Sequence, residues 1–186
     1  LLNQIHSNKV YSLNKISKKK LKGDALITCK RNLALGILTA DCAPIFIFDP
    51  YKNIIAAIHA GWKGAYKKII YKTINKFKKK GSHVKDLISV IGPCISKYRY
   101  EVKKEFLKKF LNQNQKNIRF FIFKKNKIFF SLNDYIKNQL KETGINRIEI
   151  INKDTYLMKN NFFSARRSLK KNNYDYGRNI SIIMIK

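Results

Sequence analysis

Acidic side chains are scarce in this 186-residue chain, where 11 Asp and Glu stand against 40 Lys and Arg for a formal net charge of +29. Most of its cations therefore have no carboxylate to pair with, which excludes a surface organised by ion-pair networks. Proline is nearly absent, at three residues, and 45% of the chain is hydrophobic, including 12 Phe and 10 Tyr. That apolar content fills a packed core and excludes a basic disordered tail. No apolar run approaches the ~20 residues of a membrane-spanning helix. Three cysteines, Cys29, Cys42 and Cys94, cannot all pair within one chain, so a disulfide framework is not expected and a reducing, cytoplasmic setting is. No charged leader with a small-residue cleavage site opens the chain. It begins at Leu1 rather than Met, so an N-terminal part of a longer product is expected to be missing. Length, the lack of a Ser/Gly linker and the lack of repeats together predict one domain over 1–186.

Arginine is also rare: seven Arg accompany 33 Lys. Arg supplies the bidentate fork that reads phosphates and base edges, whereas Lys offers only a point charge. The lysines are dispersed, with short clusters at 18 to 20 and 78 to 80, among abundant Asn, Ile, Phe and Tyr. This mixture fits AT-rich codon usage, so specific nucleic-acid binding is not expected as the primary role.

Four apolar runs, Asp24 to Cys29, Ala34 to Thr39, Pro44 to Phe48 and Ile54 to His59, read as consecutive strands covered on both faces. From Trp62 the period changes. Trp62, Ala65, Tyr66, Ile69, Ile70, Thr73, Ile74 and Phe77 recur at three- and four-residue steps, predicting an amphipathic helix that ends near Gly81. Leu87 to Ile91 is a further strand and Tyr100 to Leu111 a second helix. Ile118 to Phe123 and Lys127 to Ser131 suggest a hairpin. Ser131 and Asp134 cap a third helix running to Thr143. Arg147 to Ile151 and Ile180 to Ile185 close the fold. The pattern predicts an α+β domain with helices covering sheets.

Residues suited to chemistry are few, with three His, three Cys and one Trp. Cys42 follows an apolar strand. His59 ends another and opens His59-Ala60-Gly61-Trp62-Lys63-Gly64, where a helix start offers unpaired N–H groups to an anion. His6, Cys42 and His59 could supply three metal ligands and leave a fourth position open, the layout of a catalytic zinc site. Such an ion lowers the pKa of its water toward ~7. Spacing alone leaves three unrelated residues as the alternative, Cys42 then being a small buried hydrophobe. A Cys42 nucleophile with His59 as base is a third reading. His83, in a Lys-rich turn, reads as solvent-exposed.

Gln4-Ile5-His6, Thr39-Ala40-Asp41-Cys42-Ala43-Pro44 and His59-Ala60-Gly61-Trp62-Lys63-Gly64 resemble, in order, the signature of the multicopper polyphenol oxidase-like family, also described as laccase domain proteins, purine nucleoside phosphorylases and peptidoglycan editing factors. Ile91-Gly92-Pro93-Cys94-Ile95, Tyr100-Glu101-Val102, Asn138-Gln139-Leu140, Phe162-Phe163-Ser164 with Arg166-Arg167, and Gly177-Arg178 extend the resemblance over nearly the whole chain. It implies one zinc or copper ion on His6, Cys42 and His59. It also implies a layered α/β/β/α sandwich of the cysteine hydrolase-like class. The activities implied are phosphorolysis of adenosine, inosine, guanosine and methylthioadenosine, and deamination of adenosine, with a purine nucleoside and phosphate as the small-molecule partners of a monomer or homodimer. Under that reading Asp41, Cys42 and His59 are the catalytic candidates, with Asp41 a proton shuttle or a support for the metal ligands. Gly61, Lys63, Arg166 and Arg167 form the phosphate cradle, unless the two arginines are structural. Amide hydrolysis on muropeptide precursors and copper-dependent phenol oxidation are the other activities implied, and a basic nucleic-acid module ranks last. Three departures from the family pattern stand out: Asp154 where a Cys is usual, Ala165 where an aromatic is usual, and Lys63 in place of Arg.

Overall fold

A computed structural model describes residues 1–15 and 20–186. Positions 18 and 19 of the first lysine cluster lie outside the described residues. Strands β1 (Val10–Ser12), β2 (Ala25–Thr28), β3 (Leu35–Thr39), β4 (Ala43–Asp49) and β5 (Ile54–Ala60) come first. Helices α1 (Trp62–Tyr66) and α2 (Ile69–Lys79) follow, then β6 (Ile88–Ile91), β7 (Glu101–Val102), α3 (Lys104–Gln113), β8 (Phe121–Lys124) and β9 (Lys127–Phe130). The chain ends with α4 (Leu132–Glu142), β10 (Arg147–Ile150), α5 (Ala165–Lys170) and β11 (Asn179–Ile183).

Six strands form one mixed sheet in the order β1-β2-β5-β4-β6-β10, and β11 pairs with β3 in a second sheet. The continuous apolar runs are explained by two-sided burial. Alternate residues Ala25, Ile27, Ile45, Ile47, Ala56 and Ile58 face the helices, while Leu26, Ile55 and Ala57 face Leu35 and Ile37 of the second sheet. The helix layer is sealed by rings, with Phe106 and Phe110 stacked at 4.7 Å and Tyr135 edge-on to Phe110 at 5.1 Å. The α+β expectation holds, with mixed sheets and helices on the six-stranded sheet.

Ile118 to Phe120 is a 3-10 turn rather than strand, β1 and α5 are absent from the sequence reading, and two of the expected helices differ from it. The helix expected from Trp62 to near Gly81 is broken, because Lys68 adopts a left-handed φ of 62° between α1 and α2. A five-residue α1 carries only a weak dipole, so the anion-binding helix start expected after Gly61 is correspondingly weak. Tyr100 to Val102 is not helical either. Glu101 and Val102 pair with Phe129 and Ile128 as β7, and the helix begins at Lys104.

Candidate metal centre and adjoining cleft

Strand alternation places His59 on the same face as Ile55 and Ala57, toward the second sheet. In the antiparallel neighbour the residue before β2 is Asp24, whose carbonyl accepts from the His59 N–H at 2.7 Å. The two side chains therefore meet at the strand ends, with His59 Nδ1 2.9 Å from the Asp24 carboxylate. His59 is buried and Asp24 is wholly inaccessible to solvent.

Asp24 also organises the first residues of the chain. Its carboxylate accepts from the main-chain N–H of Ile5 (3.2 Å), His6 (3.0 Å) and Ser7, and from the Ser7 hydroxyl at 2.6 Å. Gln4 anchors the same segment, its amide donating to the Leu38 carbonyl at 2.7 Å and accepting from the Leu38 N–H at 2.9 Å. Together these contacts hold His6 at a φ of 55°, a left-handed conformation that costs an unsupported residue about 1–3 kcal/mol.

Cys42 completes the group from the loop before β4. Its Sγ lies 3.8 Å from His6 Nε2, and the rings of His6 and His59 meet edge-on at 4.8 Å. One ligand atom from each of His6, Cys42 and His59 falls within 4.8 Å of the others. With Nδ1 committed to Asp24, Nε2 is the ligand atom left on His59. Bonds of about 2.0–2.3 Å to a tetrahedral ion require donors about 3.3–3.8 Å apart, so this soft N/N/S set fits one zinc or copper ion after small side-chain adjustments. Burial raises the Cys42 thiol, but hydrogen bonds from His59 and His6 outweigh it and lower the pKa to about 7. Burial lowers His59, yet Asp24 and Cys42 hold it up to about 9. Gly61 is required for space: a β-carbon there would stand 2.7 Å from Cys42 Sγ and 3.1 Å from His6 Cδ2.

The remaining sequence candidates fall into two groups. Asp41, at a φ of 82°, spends its carboxylate on Thr155 Oγ1 (2.7 Å), Ser164 Oγ (3.0 Å) and the Arg166 N–H (2.6 Å). It ties the Cys42 loop to the start of α5. Arg167 donates to the carbonyls of Thr155, Tyr156 and Phe162 at 2.6–3.0 Å, so its guanidinium is engaged by main chain and the phosphate expectation narrows to Arg166. Replacing Arg167 by alanine should lower stability by about 2–3 kcal/mol by orphaning those carbonyls, read as a drop in denaturant midpoint. Asp154 binds Ser96 Oγ at 2.6 Å and the Tyr156 N–H at 2.9 Å, a loop-holding task in place of the usual Cys. Lys63 is exposed, 5.7 Å from the Trp62 ring. His83 is exposed, as expected.

Beside the cluster opens a cleft of about 740 Å³ whose lining includes Trp62, Tyr100, Phe106, Lys109, Arg166 and Lys170. Burial pushes the Tyr100 phenol up, aided by the negative charges of Cys42 and Asp41 and opposed by Arg166, so at neutral pH it is a hydrogen-bond donor. The sequence reading missed Asp24 as a site residue, together with Tyr100, Phe106 and Lys109. A lone acid heading an apolar strand was the one signal for Asp24. No helix among the described residues is long and apolar enough to cross a membrane.

The chain is 39% identical over 170 residues to a Rickettsia conorii protein named purine nucleoside phosphorylase, spanning 90% of this chain and 70% of that relative. A Clostridium acetobutylicum protein of the same name is 37% identical over 171 residues, covering 91% and 71%. Among solved structures, the hypothetical protein YfiH of Bacillus licheniformis superposes with a TM-score of 0.87 at 28% identity, covering all of this chain and 73% of that one. A Neisseria meningitidis protein gives 0.87 at 27%, covering all of this chain and 74% of the other. The family model described as multi-copper polyphenol oxidoreductase laccase matches residues 1–186, and the chain belongs to that family.

Proposed function

We propose that the protein is a purine nucleoside phosphorylase, with one zinc ion held by His6, Cys42 and His59. The observation that carries this reading is a cleft, aromatic and cationic at once, tied to the His–Cys–His group through Trp62, which follows Gly61 packed on Cys42 and His6, and through Arg166, whose N–H is bound to Asp41 beside Cys42. Trp62, Tyr100 and Phe106 offer rings to a purine, and Arg166 offers charge to phosphate. The names of the relatives support the same reaction. The three free thiols suit a cytoplasmic enzyme.

In phosphorolysis a phosphate oxygen bonds to the ribose C1′ while the C1′–N9 bond breaks, and the departing base takes up a proton. Arg166 suits the phosphate. One guanidinium nitrogen donates to the Glu101 carbonyl at 2.7 Å, which fixes its plane, and the other donors have no protein partner among the described residues. Asp41 sets the position of Arg166 through its main-chain N–H. Protonated Tyr100 can donate to a hydrogen-bond acceptor on the base. Asp24 fixes the His6 main chain and the His59 ring. The zinc ion, when bound, supplies Lewis-acid polarisation of a substrate oxygen.

Metal-loaded protein given inosine and phosphate should release hypoxanthine and ribose 1-phosphate, and a chelator should abolish the release. Base release that persists when phosphate is omitted, or no release from inosine, guanosine, adenosine or methylthioadenosine, would overturn the reading. Formation of inosine from adenosine in the same assay would report the deamination that the family resemblance also implies.

A further inference from the structure

Inorganic phosphate needs one cationic pole, and of the four cations lining the cleft, Lys103, Lys109, Arg166 and Lys170, two, Arg166 and Lys109, stand against opposite ends of its ring wall. Between them runs a wall of rings, with Trp62 and Phe106 centred 5.0 Å apart and Phe106 and Tyr100 6.3 Å apart. At the Tyr100 end the Arg166 guanidinium lies 5.3 Å from the ring and its main chain is bound to the Asp41 carboxylate, beside Cys42. At the Trp62 end the Lys109 ammonium lies 5.6 Å from the Trp62 ring and 5.5 Å from Tyr66. Lys63 stands 5.7 Å from the same indole. Two carboxylates also line the cleft, and neither is ion-paired to Lys109. Glu101 is bound to Lys127 at 3.1 Å, and Glu105, one helical turn before Lys109, makes no ion pair with it. Neither Lys63 nor Lys109 has a carboxylate partner among the described residues.

Two anions held apart by a ribose whose base lies against the rings would satisfy both poles. If phosphate occupies the Arg166 end, the second anion belongs to the nucleoside. Resting on the phosphorolysis reading above, we infer that Lys109, assisted by Lys63, selects purine nucleoside 5′-monophosphates over neutral nucleosides. The balance is that of ordinary phosphorolysis. A phosphate oxygen bonds to C1′, C1′–N9 breaks, and the products are ribose 1,5-bisphosphate and the protonated free base.

Trp62 is the one tryptophan in the chain, so its fluorescence reports cleft occupancy without reference to turnover. Titration of metal-loaded protein with inosine 5′-monophosphate and with inosine should give a dissociation constant about tenfold lower for the monophosphate at low salt, the worth of one charge-assisted hydrogen bond. The ratio should shrink as ionic strength rises. Lys109→Met should bring the ratio close to one, and Lys109→Arg should restore it. Equal affinities in the wild type, or a ratio unmoved by Lys109→Met, would overturn the inference. Base release from inosine but not from its monophosphate would overturn it while leaving the phosphorolysis reading intact. Release from neither, with the Lys109-dependent binding ratio preserved, would overturn the phosphorolysis reading alone.

Discussion

Cys42→Ala is expected to reduce phosphorolysis by about three orders of magnitude and metal affinity by more than about a hundredfold. The substitution removes the one anionic ligand of a set whose other members are imidazoles. Two histidines remain, but an N/N pair without the thiolate neither neutralises the ion nor closes the coordination shell. The fold should tolerate the change. Cys42 is half-buried in the loop leading into β4, and loss of one sulfur there shifts the melting temperature of the metal-free protein by no more than about 3 °C. Metal content, base release and thermal melting of the purified variant test the three parts separately. A variant that keeps stoichiometric metal and full turnover would remove Cys42 from the site.

The second large effect belongs to Asp24. Asp24→Ala should destabilise the protein by about 3–5 kcal/mol, because it leaves His59 Nδ1 and the N–H groups of Ile5, His6 and Ser7 without an acceptor in a wholly inaccessible position. Asp24→Asn keeps the shape and separates packing from charge. It should cost less stability and still weaken metal binding about 10–100-fold, since His59 then loses the carboxylate that fixes its ring. Burial raises the Asp24 pKa, but hydrogen bonds from His59 and Ser7 outweigh it and lower the value from 3.8 to about 2. A depressed carboxylate contributes stability that is fully present above its unfolded value and lost as pH falls through its folded value. Metal-free wild type should therefore lose stability between pH 3.8 and about 2 more steeply than Asp24→Asn in urea melts. Parallel acid limbs would show that the carboxylate carries no such charge-dependent stability.

The His6, Cys42 and His59 group was legible as a candidate because His and Cys are rare in the sequence and lie beside turns or at strand ends, and the family resemblance singled it out. Most of the strands around them were legible for a similar reason, since runs such as Ile54 to His59 have no polar face to give water. Asp24 was not legible. Alternation tells which residues share a face but not which strand lies alongside, and its role depends on β2 pairing with β5 across two intervening strands, β3 and β4. Tyr100 and Phe106 look like core from their spacing, and one side of that aromatic cluster is indeed sealed by Phe110 and Phe130. Only the packing of α3 beside α1 makes its other side a cleft wall. The break at Lys68 escaped because the apolar period runs through it without interruption. The two arginines of α5 look alike in sequence and differ in structure, one bound to three carbonyls and the other bordering the cleft.

His6 belongs to no strand, and the segment carrying it is fastened by the Asp24 carboxylate and the Gln4 amide. Apart from Leu2, buried in the second-sheet cluster, such a segment detaches without breaking a strand ladder or uncovering much apolar surface, so it can open at low cost. A metal ion gripped by His6 and by two residues of the main sheet region would act as a clasp across that opening. Occupancy of the metal and docking of the first residues then become a single equilibrium, in which each stabilises the other by the same free energy.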